Sequence, residues 1–261
     1  MKILFCGDIV GRSGRDAVVQ HVPKLRQSHG LDFVIANGEN AAAGFGINAK
    51  ICQELHDAGV DVITSGNHIW GQRDLLLTID QHERLLRPIN YPAGTPGHGM
   101  VTVTNQAGKR LTVVNVMGRV FMDVLDDPFA AIEAALTKTS LAGEAIFVDI
   151  HAEATSEKAA MAYMLDGRVS AVVGTHTHVP TADARVLPKQ TAFRTDTGMC
   201  GDYNSIIGMQ PPSVLHRFLR KYPGPKMVVS EGPGTLSATL ITLDSNTHLA
   251  KAIEAVWIPP A

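Results

Sequence analysis

Short unbroken apolar runs alternate with stretches of helical periodicity through the first third of the chain. "KILFCG" (2–7), "FVIAN" (33–37) and "DVITSGN" (61–67) read as buried strands bounded by Gly, Asn and Asp. Helical patterns follow over 14–29, with Ser13 as its N-cap, over 48–58, starting near Asn48, and over 71–86. This βαβαβα order implies parallel strands. The middle changes character. "MVTVTNQAGKRLTVVNVMG" (100–118) is a pair of strands around a Gly-containing turn, an antiparallel hairpin. A helix over 126–140, a strand over 144–150, a helix over 156–166 and a strand over 169–174 come next, and the last quarter is β-rich at 184–187, 191–196, 237–243 and 249–258. Parallel units joined to later antiparallel pairs fit an α/β chain with two facing sheets and helices outside.

The strands end in one kind of residue. Asp8 follows the first, Glu39 and Asn40 the second, and Asn67 and His68 the third. His151 follows "FVDI", and His176 and His178 follow "VVGT". Parallel strands bring such ends to one sheet edge, where open α/β sheets keep their ligand sites. An extended backbone through "HTH" would also point both imidazoles at one spot. Taken singly, each residue has a structural explanation: a helix cap for Asp8, loop polarity for Glu39 and Asn40, a turn for Asn67. Recurrence at successive strand ends argues for a shared site. Carboxylate, amide and imidazole donors without thiolate suit Mn, Fe or Zn. So many donors exceed the needs of one open metal site and suit two metals sharing a carboxylate, a pair that clamps the attacking and leaving oxygens of phosphoryl transfer.

Composition narrows the class. At 261 residues, 45% hydrophobic and 18% charged, the chain can bury a sizeable core. A formal net charge of −2 argues against a duplex nucleic-acid footprint and leaves room for a small phosphorylated ligand. Cys6, Cys52 and Cys200 are widely spaced, which fits free thiols in the cytoplasm. The N-terminal apolar run is broken by Asp8, so no signal peptide is expected, and no run suggests a membrane span. No linker or repeat divides the chain, so residues 1–261 are expected to form one domain. The apolar end "IEAVWIPP" suits either a homo-oligomer contact or a core strand.

The blocks "GDIV" (7–10), "NGEN" (37–40), "GNHI" (66–69), His151 and "GTHTH" (174–178) resemble, in order and spacing, those of the calcineurin-like metallophosphoesterases. Val10 stands where that superfamily has a His, Glu39 where it has the bridging Asp, Ile69 where it has an acid, and Thr175 separates Gly174 from His176. These departures, with "GDIVGRSGRDAV", "NGENAAAGFGI" and "DTGMCGDYNSIIG", resemble the bacterial YmdB-type branch nearly end to end. The resemblance implies a four-layer α/β/β/α sandwich and a dinuclear centre of two divalent or trivalent ions, Fe or Mn ahead of Zn. One ion would be held by Asp8, Glu39, Asn40 and His178. The other would be held by Glu39, Asn67, His151 and His176. Asn40 would stand in for the missing His at position 10. The implied activity is phosphodiester hydrolysis, notably of 2′,3′-cyclic nucleotides. Solvent activated between the metals would attack phosphorus while His68, not a ligand, protonates the leaving alkoxide. Arg12 in "GRSGRD" is a candidate phosphate contact and Trp70 a candidate base platform. Set against this are a regulatory or nucleotide-binding role with weak turnover and a phosphomonoesterase or protein phosphatase on the same frame. The late H-x-H and the lack of eight βα repeats argue against a barrel amidohydrolase.

Overall fold

The computed structural model describes residues 1–138, 144–220 and 222–260, so positions 139–140 of the helix expected over 126–140 lie outside the described residues. The chain opens with β1 (Lys2–Cys6), β2 (Asp8–Ile9), α1 (Gly11–His29), β3 (Phe33–Asn37), α2 (Ala49–Asp57) and β4 (Val62–Thr64). Then follow β5 (Met100–Thr104), β6 (Arg110–Met117), α3 (Pro128–Lys138), β7 (Ala145–His151), α4 (Thr155–Met164) and β8 (Ala171–Thr175). The remainder is β9 (Arg185–Val186), β10 (Ala192–Arg194), β11 (Met199–Cys200), α5 (Pro211–Arg220), β12 (Leu236–Leu243) and β13 (Ala250–Ile258).

Two sheets result, ordered β13-β12-β1-β3-β4 and β5-β6-β7-β8-β10-β9, with β2 and β11 forming a small ribbon. The first sheet is parallel across β1, β3 and β4. The second is parallel across β6, β7, β8 and β10. Side chains alternate between the faces of each strand. Ile3, Phe5, Phe33 and Ile35 therefore meet Val113, Phe147 and Val173 between the sheets, and the Phe5 and Phe147 rings lie 4.9 Å apart. Leu4, Cys6, Val34 and Ala36 face the other way and pack on Val18, Val22, Ile51 and Leu55 of α1 and α2. Val114, Val148 and Val172 pack on Ile132, Met161 and Leu165 of α3, α4 and the turn beyond. Strands covered on both faces need apolar residues at every position, which explains the unbroken runs. The layers are α/β/β/α.

Some local expectations need correction. α1 begins at Gly11, not at 14, and Ser13 is buried inside it; Val10 is the N-cap and makes no side-chain cap. Asn48 does cap α2, accepting the Ile51 N–H at 3.0 Å. Residues 71–86 are not one helix but 3-10 turns at Ile69–Gly71, Arg73–Leu77 and Ile79–Gln81. The chain must return to the sheet edge there: Arg84 O accepts from Ile63 N, and Leu86 N donates to Ile63 O. Leu75 is buried while Leu77 is exposed, so the apolar triplet is not a helical stripe. The apolar C-terminus forms β13, which pairs with β12 along its length and completes the first sheet.

Candidate metal centre

The parallel register puts the strand ends together. His151 pairs in register with Met117 on one side and Thr175 on the other, so Gly118, Ala152 and His176 leave the second sheet at one edge. Asn37 pairs with Thr64, so Glu39 and Asn67 leave the facing sheet nearby. Asp8 is carried by the small ribbon, in register with Met199.

Two groups of ligand atoms converge within 4.8 Å: Glu39, His151 and His176 in one, and Asp8, Glu39 and His178 in the other. Glu39 belongs to both. Asn67 Oδ1 lies 3.0 Å from His151 Nε2, at the first group. Gly66 makes the approach feasible, because a Cβ there would sit 2.2 Å from the His151 ring and 2.3 Å from Glu39 Oε2. Asn37 sets Glu39 by accepting its N–H at 3.1 Å.

Each imidazole has an oxygen behind it. His151 Nδ1 faces Thr175 Oγ1 at 2.9 Å, and that hydroxyl donates to Asp149 Oδ1 at 2.7 Å. His176 Nε2 faces Glu153 at 3.2 Å, and His178 Nδ1 faces the Ile207 carbonyl at 2.8 Å. An imidazole that donates its outer proton presents a lone pair on the inner nitrogen, the arrangement of metal-bound histidines. The inner atoms His151 Nε2 and His176 Nδ1 are 3.1 Å apart, and His151 Nε2 lies 3.2 Å from Glu39 Oε2; with the outer protons so placed, the two inner lone pairs face one point, a contact that a cation between them would relieve. Burial and the neighbouring His151 push the His176 imidazole down to about 3. Burial likewise lowers His178.

Asp8 supplies a second test of fit. Its Oδ2 accepts from His176 N at 3.2 Å, but its buried Oδ1 has no hydrogen-bond partner. Burial, then the charges of Asp196, Glu39 and Asp149, hold this carboxyl well above the usual carboxylate range. A buried oxygen without a donor is costly, and a cation satisfies both the lone pair and the charge. Glu39 goes the other way: burial would raise it, but His151 and His68 hold it well below its ordinary value.

His68 stands beside the groups. Its Nδ1 donates to Asn40 Oδ1 at 2.8 Å and lies 3.4 Å from Glu39 Oε1. Burial works to lower its pKa, but the hydrogen bond and charge of Glu39 and the charge of Asp123 raise it overall. Asn40 turns its amide nitrogen inward, to Glu39 Oε1 at 3.0 Å and His178 Nε2 at 3.1 Å. To offer oxygen to a cation, that amide must turn over, leaving His68 Nδ1 to Glu39.

The H-x-H segment departs from the extended geometry that would align the pair. β8 stops at Thr175, and His176 and His178 take φ values of 97° and 65°. The bend sends the rings to different groups. It is held by Asp196, whose Oδ2 accepts from Thr177 N and Oγ1 and from the fully buried Lys158. Lys158 Nζ also donates to Thr175 O at 2.7 Å. Sequence reading misses this pair, although Lys158 shares a helical face with the buried Met161, Ala162 and Leu165. It also misses Asp149, an acid inside the apolar run "IFVDIH".

Arg12 and Trp70 lie outside the ligand groups. Arg12 is exposed beside Asp16 and lines a cavity of about 860 Å³ with Phe45, Gln72 and Lys226. Trp70 packs edge-on against Tyr91 at 6.1 Å and against the outer core.

A family model described as "YmdB-like protein" matches residues 4–256. The chain is 47% identical over 258 residues to a Bacillus subtilis (strain 168) protein named 2′,3′-cyclic-nucleotide 2′-phosphodiesterase, covering 99% of this chain and 97% of the relative. Among solved structures, a hypothetical protein from Thermus thermophilus superposes with a TM-score of 0.93 at 43% identity, covering 100% of both chains. A structure described as a novel phosphatase from Mycoplasma pneumoniae superposes with a TM-score of 0.92 at 32% identity, covering 100% of this chain and 94% of that one.

Proposed function

The chain belongs to the YmdB-like protein family, and from that premise we propose that it is a metal-dependent phosphodiesterase of small phosphodiesters, with 2′,3′-cyclic nucleotides as its substrates. Residues 1–261 act as one metallophosphoesterase domain. Asp8, Glu39, Asn40 and His178 hold one ion, and Glu39, Asn67, His151 and His176 hold the other, with Glu39 shared. Fe or Mn suits this donor set, with Zn as the third choice. The observation that carries the reading is Glu39 standing in both ligand groups beside an Asp8 oxygen that has no donor. Among the described residues no helix is long and apolar enough to cross a membrane. Cys6, Cys52 and Cys200 are free and buried, which suits the cytoplasm.

When bound, the cations supply Lewis acidity that lowers the pKa of solvent and draws charge from the phosphoryl oxygens. His68 supplies the acid. With the Asn40 amide turned to its ion, the Nδ1 proton is left to Glu39 Oε1, 3.4 Å away, which frees Nε2–H for the departing 2′ oxygen. The Glu39 carboxylate keeps the ring protonated to higher pH than burial alone would allow. The oxygen of water joins phosphorus and sheds a proton to solvent, the bond from phosphorus to the 2′ oxygen breaks, the His68 proton ends on the alkoxide, and His68 takes a proton back from solvent. A nucleoside 3′-phosphate is left.

The test is hydrolysis of 2′,3′-cyclic AMP with Mn²⁺, beside an EDTA-treated sample and His68→Ala. Turnover should vanish with EDTA. It should fall by ~10²–10⁴ in the variant with metal content retained. A variant that loses metal makes His68 a ligand and overturns its role as acid. Full metal with no turnover in the wild type removes the diesterase reading.

A further inference from the structure

Gly118 leaves β6 beside the ligand His151, donating its N–H to the His151 carbonyl at 3.0 Å. The segment that follows is tied down at both ends. Glu157 on α4 accepts the Arg119 N–H at 2.9 Å and the Val120 N–H at 3.2 Å. The Asn90 amide donates to Met117 O at 2.8 Å and to Asp126 O at 3.0 Å, closing the base of the loop. Between these ties the loop raises Phe121, 90% exposed, and Val124, 92% exposed. Phe121 also sits at φ 62°, a left-handed conformation that costs a non-glycine residue free energy. Neither exposure nor strain helps the fold, and the anchors keep both in place.

The loop stands on the side of the acid. Asn90, which closes its base, is followed by Tyr91, whose ring meets Trp70 at 6.1 Å in the turn that follows His68. His68 protonates the leaving oxygen, so the leaving nucleoside lies on this side of the centre. An anchored, exposed aromatic ring there matches the flat face of a nucleobase.

We propose that Phe121 is a base-stacking platform that makes the site prefer nucleoside diesters over base-free ones. This rests on the phosphodiesterase reading above. Base–aromatic stacking is tolerant of base identity, so the platform favours cyclic nucleotides as a class and does not choose among bases.

The experiment compares wild type, Phe121→Ala and Phe121→Trp, all loaded with Mn²⁺. Calorimetry reads binding of 3′-AMP and of ribose 3-phosphate. Kinetics reads 2′,3′-cyclic AMP against methyl riboside 2,3-cyclic phosphate, which has no base. Phe121→Ala should weaken 3′-AMP about ten-fold and raise KM for the nucleotide by a similar factor, with little effect on the base-free pair. Phe121→Trp should restore both. Equal losses on both members of each pair, or no loss on either, overturn the platform. So does a change of oligomeric state on gel filtration that accounts for the loss, because the ring then serves a subunit contact. Absence of turnover in the wild type removes the diesterase reading. The calorimetric contrast then still decides whether the base is read.

Discussion

The space between the sheets and the layer beneath the strand ends are equally buried and opposite in chemistry. In the first, Phe5, Phe33, Phe147, Ile35 and Val173 pack in an apolar cluster. In the second, Asp149 accepts from Thr64 at 2.6 Å, Thr175 at 2.7 Å and Asn37 at 3.0 Å. Burial raises the Asp149 pKa overall, against the opposing pull of His151 and of these three donors. An apolar interior is held by shape and area, and it gives gradually when a methylene is lost. A buried polar layer is held by completeness, because one missing partner strands the other. The fold therefore keeps its tolerance in the middle and its exactness at the edge where the candidate ligands stand.

Variants can break or sharpen this contrast. The largest effect belongs to Gly66→Ala, whose methyl would collide with His151 and Glu39. Turnover should drop by ~100-fold or more and metal content should fall; retention of both would show that the ligands have room to spare. Next comes Lys158→Met, which leaves Asp196 buried without its cation and should cost about 3–5 kcal/mol in urea unfolding. Adding Asp196→Leu should recover much of that stability while the H-x-H bend stays lost and activity stays low. Recovery of activity would separate the pair from the site. Phe147→Ala should cost a similar ~3–5 kcal/mol yet keep metal affinity, read by titration calorimetry; lost affinity would mean that the two regions are not independent. Asp149→Asn should be milder in stability and weaken metal binding by ~10–100-fold through Thr175 and His151.

The smallest effect lies at the far end of the sheets. Asp32 accepts from Lys2 N at 2.8 Å and Lys109 Nζ at 2.7 Å. Burial would raise its pKa, but Lys109 and the Lys2 N–H lower it overall. A carboxylate depressed by folding stabilises above its unfolded value, about 3.9, and that contribution fades as pH falls through its folded value. The unfolding midpoints of wild type and Asp32→Asn should thus differ near pH 6 and converge in acid. A gap that does not change with pH would rule out the carboxylate charge as its source.

The contrast also explains what is legible in the sequence. Apolar runs such as "KILFC" and "FVIAN" become strands because burial on both faces leaves no alternative, and their polar ends collect because parallel strands share a direction. Asp8, Glu39, Asn67, His151, His176 and His178 are therefore visible as a set. The supports are not. Lys158 pairs with Asp196 38 positions away, and Asn37 reaches Asp149 112 positions away. Such partners are fixed by packing and leave no local period. The turns over 69–81 escape a periodicity reading for a related reason: their shape follows from returning the chain to Ile63, not from their own apolar spacing.

The pairing of β1 has a consequence for how the protein is made. Lys2 of the first strand is in register with Thr242, and Asp8 with Met199. At ordinary ribosomal speed, on the order of tens of seconds separate the first strand from its partner. In that interval β1 can join β3 and β4, but one of its edges stays open, a template for stray pairing. The candidate ligands Asp8 to His178 all precede β12, the strand that covers that edge. A ribosome stalled short of Leu243 would hold every candidate ligand and a first sheet with that edge of β1 uncovered.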